Sequence, residues 1–206
     1  MVREMNESRR PLRTRDARWA KGLAAWLTRR RVSPNAISIG GAIVAILGAG
    51  ALCWARSGGA LRPFLFLAGA TAVQLRLLCN MLDGMVAVEG GRQGRAGELF
   101  NEAPDRVEDV VLLAGAGFAV EMPWLGWMAA TSAVLTAHVR ALGASLGKGQ
   151  DFSGPFGKPQ RMFVLTLGCL GEIAWPGVLQ WALWVIACGA LLTAGRRVLR
   201  LYRRLE

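Results

Sequence analysis

The sequence predicts an all-α integral membrane protein, with six transmembrane helices preceded by a cytoplasmic amphipathic helix. Three observations carry that prediction. Hydrophobic residues are 53% of the 206, and mean hydropathy is +0.32. Only 19% of residues are charged, yet Lys and Arg outnumber Asp and Glu 25 to 14, and that excess falls on one side of the apolar pattern. There are 26 Gly, a share well above the ~7% of ordinary soluble chains, and 8 Trp against 1 Tyr. Small residues let membrane helices approach closely, and Trp favours the membrane–water boundary.

The elements follow in order. Basic residues recur from Arg3 to Arg31 with no continuous apolar core between them, unlike a secretory signal. Within that stretch Trp19, Leu23, Trp26 and Leu27 share one helical face. A basic helix with such a face lies in the membrane interface rather than crossing it. Residues 1–35 therefore read as a basic tail with an amphipathic helix, and 36–206 as the transmembrane domain. Six apolar segments follow, at about 37–55, 63–88, 98–120, 123–143, 161–175 and 177–196. A span needs ~20 residues, and the fifth segment falls short of that. Charge retains it. With six spans and both termini inside, 20 of the 25 Lys and Arg lie on the inner side and only Arg56 and Arg62 in outer loops. Without the fifth span the five C-terminal arginines would face outward. The same asymmetry accounts for the +11 charge through anionic lipid headgroups, without nucleic acid. The expected location is the cell (inner) membrane.

Other classes are excluded by composition. Cys53, Cys79, Cys169 and Cys188 are isolated and there is one histidine, so neither a zinc site nor a disulfide framework is expected. The cysteines read as small buried hydrophobes, and His138 as a packed neutral side chain.

The acids are clustered. Seven of the 14 Asp and Glu fall between Asp83 and Asp109. Ionisable groups inside a bilayer are costly and mark functional sites by default. Arg76, Asn80, Asp83 and Ala87 form one stripe on the second span, and Gly97, Asn101, Asp105 and Asp109 one on the third. Two oxygen-rich stripes on neighbouring helices suit Mg²⁺, Mn²⁺ or Ca²⁺. Arg76 reads as orienting Asn80 and Asp83 or as binding substrate, with the first expected, and Arg106 as pairing with Glu102 and Asp109 one turn away. Arg140, Lys158 and Arg161 converge on the inner end of spans four and five. They read either as a site for an anionic group on an acceptor or as inner-side charge alone.

These residues resemble the signature of the CDP-alcohol phosphotransferases, D-x2-D-G-x2-A-R-x8-G-x3-D-x3-D. The chain reads Asn80-x2-Asp83-Gly84-x2-Ala87-Val88-x8-Gly97-x3-Asn101-x3-Asp105, matching the spacing at all eight positions and the identities at five. The six-span pattern, the amphipathic helix and Ser33-Pro34-Asn35 are also similar to that family. The resemblance implies transfer of a substituted phosphate from a CDP-alcohol, CDP-diacylglycerol being one candidate, to an acceptor alcohol. CMP is released, the setting is phospholipid biosynthesis, and the enzyme is a membrane-embedded homodimer. It implies Mg²⁺ or Mn²⁺ at the positions of Asn80, Asp83, Asn101 and Asp105, with Asp105 also the catalytic base, and a CDP floor of Gly84, Ala87 and Gly97. Asp83 is expected to be committed to metal, and Asp109 to lie a turn deeper than the donor.

Asn80, Asn101 and Val88 depart from the signature. Asn keeps a carbonyl oxygen but brings no charge, so only two acids remain against two divalent ions unless Glu98 or Glu102 contributes. That departure keeps a second class open, a member that binds nucleotide, metal or lipid without turnover. A transporter is the third class, although transport sites usually sit at broken helices near the midplane.

Overall fold

The computed structural model describes residues 17–90 and 95–206, with the side chains of residues 95–101 outside that description. The basic tail before Ala17 and the loop containing Arg92 therefore lie outside the described residues. Among the described residues all regular structure is helical: α1 (Arg18–Arg29), α2 (Pro34–Ala55), α3 (Arg62–Glu89), α4 (Arg95–Ala119), α5 (Pro123–Ser145), α6 (Lys158–Ala174) and α7 (Val178–Leu205), with a single 3₁₀ turn at Gly59–Leu61.

Local chemistry sets the helix ends. Ser33 caps α2 by accepting the Ala36 N–H at 3.1 Å, and Pro34 opens the helix, where its missing N–H costs nothing. Pro also stands in the first turn of α3, α5 and α6. Gly177 joins α6 to α7 at φ 96°, a left-handed conformation that a Cβ would disfavour.

Helices α2–α7 form an up-and-down bundle. Its neighbours run in a closed ring, α2–α4–α5–α7–α6–α3 and back to α2. Helices α3 and α4 are consecutive in the chain yet touch each other only slightly. Leu52, Phe66, Leu112, Leu125, Met162, Leu165 and Leu183 fill the apolar interior. Small residues bring the helices close. A Cβ on Gly117 would lie 2.6 Å from the Gly126 Cα, where α4 crosses α5.

Among the described residues three stretches are long and apolar enough to cross a membrane, Pro34–Ala55, Gly59–Glu89 and Val178–Leu205. Helix α4 carries five charged residues between Glu102 and Asp109, and α6 has 17 residues, so neither meets that description by composition and length alone. Helix α1 packs on α3 through Ala20 and Ala24, beside Met81, Leu82 and Val86. Leu23 and Leu27 join that contact, whereas Trp19 and Trp26 remain exposed. The small alanines, not the tryptophans, thus form the seat on α3.

Two expectations are corrected here. Cys169 is buried and Cys79 half-buried, but Cys53 and Cys188 are exposed. His138 is exposed as well. The outer face of this bundle is itself apolar, with Ile43, Leu47, Trp127 and Trp181 among its exposed side chains, so hydrophobic character does not imply burial.

Candidate active site

The acids of α3 and α4 meet inside the ring near the end that carries α1. Asp83 is 2% exposed, and its Oδ2 accepts the Ser38 hydroxyl of α2 at 2.6 Å. Three residues before it, Asn80 donates through Nδ2 to Glu108 Oε2 at 3.1 Å. Glu108 is fully buried, and a Cβ on Gly41 of α2 would approach its Oε1 to 3.2 Å. Glycine at that position leaves room for the carboxylate. Gly84 is buried and Ala87 half-buried on the same helix. Gly97 and Asn101 belong to α4, but their side chains lie outside the described residues.

Arg76 is the largest fully buried side chain among the described residues. The expected partners Asn80 and Asp83 are not among its ion pairs. Instead it spans the gap to α4, pairing with Asp109, with Glu108 at 3.1 Å and with Asp105 Oδ1 at 3.8 Å. The reason is charge: a buried guanidinium is neutralised by carboxylates across the gap, which a neighbouring amide cannot do. Arg106 pairs with Glu102 as expected, but Asp109 turns inward to Arg76 and Arg161 instead.

The far wall is a ladder. Three acids at successive turns of α4 each meet a cation from α5 or α6. Glu102 accepts Arg140 Nη2 on both oxygens at 2.9 and 2.7 Å, Asp105 Oδ1 lies 2.5 Å from Lys158 Nζ, and Asp109 Oδ2 accepts Arg161 Nη2 at 2.9 Å. The three cations singled out in the sequence are therefore brought together, each against an acid. Arg140 is further held by Gln150 at 2.6 Å and lies over the Phe152 ring at 5.3 Å. Arg161 also donates to Thr136 Oγ1 and the Phe156 carbonyl. Arg197 of α7 donates to the Thr136 and Ser153 carbonyls. In the loop between α5 and α6, burial works to raise the Asp151 carboxyl, but the Ser153 backbone N–H at 2.8 Å and the nearby Arg200 and Arg204 hold it below its ordinary value.

Sequence reasoning assigned no role to Ser38, Glu108, Thr136 or Arg197. Ser38 and Gly41 lie one turn apart, which places both on the face of α2 toward the site. Arg197 was hidden within the basic run at the C-terminal end of α7. In the sequence, Glu108 was indistinguishable from its acidic neighbours.

The donors available to a cation are hard oxygens, Asp83 and Asp105 with the amide oxygen of Asn80, which suit Mg²⁺ or Mn²⁺ in kind. Among the described residues no three Asp, Glu, His or Cys side chains converge to hold a metal ion on their own. The residues thus fit a divalent ion that also takes oxygens from Asn80 or from a bound phosphate. Between two carboxylates on facing helices and a wall of cations, the arrangement suits chemistry on a phosphate ester.

No family model matches the chain. Inner membrane protein YnbA of Escherichia coli K12 is 31% identical over 170 residues, covering 81% of this chain and 82% of that protein. Phosphatidylinositol phosphate synthase of Mycobacterium marinum is 28% identical over 198 residues, covering 88% and 79%. In three dimensions the fold matches the Mycobacterium tuberculosis phosphatidylinositol phosphate synthase with CDP-DAG bound, at a TM-score of 0.75 and 23% identity over 90% of this chain and 94% of that one. The same enzyme in complex with manganese and citrate matches at 0.75 and 22%, over 89% and 88%. Motif spacing, helical fold and relatives along most of the length agree, and the chain belongs to the CDP-alcohol phosphotransferase family.

Proposed function

We propose that this chain transfers a substituted phosphate from a CDP-alcohol to an acceptor alcohol in phospholipid synthesis. The observation that carries the reading is that Asp83 of α3 and Asp105 of α4 are near enough to interact electrostatically, with Lys158 of α6 against Asp105. Asp105 takes the proton of the acceptor hydroxyl as its oxygen bonds to the β-phosphorus. The bond from that phosphorus to the bridging oxygen breaks, and CMP leaves with the electron pair. A base must lie within hydrogen-bond reach of the proton, and Asp105 borders both the cationic wall and the gap. Asp83, Asn80 and Asn101 join Asp105 in holding a divalent ion, Mg²⁺ or Mn²⁺. When bound, it supplies positive charge to the phosphate oxygens. Gly84, Ala87 and Gly97 form the floor for the cytidine.

Arg140, Lys158 and Arg161 bind an anionic group on the acceptor. The incoming anion shares these cations with Glu102, Asp105 and Asp109. Two structures of one relative support the substrate and ion classes, the mycobacterial synthase with CDP-DAG bound and the same protein with manganese and citrate. The reading includes six spans, α1 lying in the interface, both termini in the cytoplasm, and a homodimer in the inner membrane. A specific observation favours one other reading, binding without turnover: Asn replaces acids at 80 and 101.

The test is a panel of CDP-alcohols and acceptors with mass spectrometry of products and measurement of CMP. CMP release with a new phosphodiester is expected, and binding of CDP-alcohol without CMP from any pair selects the second reading. Reporter fusions after Glu206 and in the loop near Arg95 are both expected on the inside. An external C-terminal signal removes the six-span topology.

A further inference from the structure

Lys158 is the first residue of α6. Its ammonium is brought to the site by the extended Gly157 before it, and it lies 2.5 Å from Asp105 Oδ1. That oxygen is shared with Arg76 at 3.8 Å. Lys158 is also near enough to act electrostatically on Asp83, Glu108 and Asp109. The pairing has a counterpart in the motif. The family signature offers four acids, whereas this chain has Asn at 80 and 101. Losing two carboxylates removes two negative charges, the charge of one divalent ion. A second divalent ion would meet the Lys158 ammonium and the Arg76 guanidinium already on Asp105, while Glu108 and Asp109 are already committed to Arg76, and Asp109 to Arg161 as well.

We propose that Lys158 is the resident second cation of this site, so that the chain binds one divalent ion rather than two. Its ammonium neutralises Asp105 from the α6 side, which leaves Arg140 and Arg161 to the anionic group of the acceptor. This rests on the proposed transferase site but makes a claim about ion number that catalysis alone does not test.

The experiment uses the full chain in detergent, with Mn²⁺ as the probe and CDP present. Bound Mn²⁺ is counted by equilibrium dialysis and its spectrum recorded by electron paramagnetic resonance. Wild type is expected to hold one Mn²⁺ per chain, with the spectrum of an isolated ion. Lys158→Gln is expected to bind Mn²⁺ at least ~10-fold more tightly, because a like charge has been removed. Asn80→Asp, Asn101→Asp and Lys158→Gln together are expected to hold two ions with the spectrum of a coupled pair. Two ions or a coupled pair in wild type overturns the proposal, and that measurement does not depend on any variant folding. Unchanged Mn²⁺ affinity in a folded Lys158→Gln protein overturns it too. One ion bound without CMP release from any donor sustains the proposal and removes the transferase reading, so the two fail separately.

Discussion

The two ends of the bundle each bury a carboxylate, and they treat it in opposite ways. At the end remote from α1, Glu172 of α6 is 3% exposed. One oxygen accepts Arg62 at 2.8 Å, and the other accepts the Gly177 and Leu179 N–H groups at 2.9 and 3.0 Å. Those two N–H groups belong to the start of α7, where an anion is favoured by the helix dipole and by otherwise unpaired donors. Every charge there has a partner, and the result is a staple joining α3, α6 and α7. At the α1 end, Arg76, Arg140, Lys158 and Arg161 meet Glu102, Asp105, Glu108 and Asp109. Arg76 Nε, Arg161 Nε, Glu108 Oε1 and Asp105 Oδ1 are buried without a hydrogen bond of good geometry. Unsatisfied buried polar atoms are uncommon and expensive. A fully satisfied carboxylate stabilises a fold, whereas an incompletely satisfied cluster retains capacity for a ligand.

That contrast is broken or sharpened by substitution at each end. The largest effect belongs to Asp105. Asp105→Asn is expected to lower CMP release by ~10²–10⁴-fold, the range for a lost general base, while CDP affinity stays nearly unchanged. Asp83→Asn is expected to weaken CDP and metal binding together. Steady-state CMP release and CDP titration on both variants separate these roles, and an active Asp105→Asn protein ends the assignment.

Next is Asp109. The sequence predicts that it lies a turn deeper than the donor, and the structure gives it weight as the shared anion of Arg76 and Arg161. Asp109→Asn leaves two buried guanidinium groups short of charge, and a loss of about 3–5 kcal/mol is expected. Thermal unfolding in detergent reads this, alongside a CMP assay at a temperature where the variant is folded. Residual activity there should exceed that of Asp105→Asn.

Glu172→Gln keeps an oxygen for the α7 N–H groups and loses the charge toward Arg62. A loss of about 1–3 kcal/mol is expected, with CMP release unchanged in the folded fraction. A specific loss of turnover would show that the remote end is coupled to the site. The smallest effect belongs to Arg56 and Glu121, whose side chains are 64% and 67% exposed. Glu121→Gln should shift unfolding by under ~1 kcal/mol, which sets the scale against which the buried sites are judged.

Much of the site was legible because helices are periodic. The four-residue repeat through Gly97, Asn101, Asp105 and Asp109 defines a stripe without reference to any other part of the chain. The spacing from Asn80 to Asp105 likewise carries the family resemblance. Arg76 shows where that reasoning stops. Its neighbours on α3 are Asn80 and Asp83, yet its charge is met by α4, which the spacing along one helix does not reveal. The ladder of Arg140, Lys158 and Arg161 was equally out of reach, because it needs the rotation of α5 and α6 about their axes.

By itself the sequence determined the helical periodicity, the one-sided distribution of Lys and Arg, and which residue types stand at the motif positions. All of these are properties of neighbours along the chain. Tertiary structure alone decided which acid meets which cation, that Ala20 and Ala24 rather than Trp19 and Trp26 seat α1 on α3, and that Ser38 reaches Asp83. The physical reason is that a buried charge must find its counter-charge wherever the closed ring of helices brings one, and ring closure depends on close approaches such as Gly117 on Gly126, which no single helix contains.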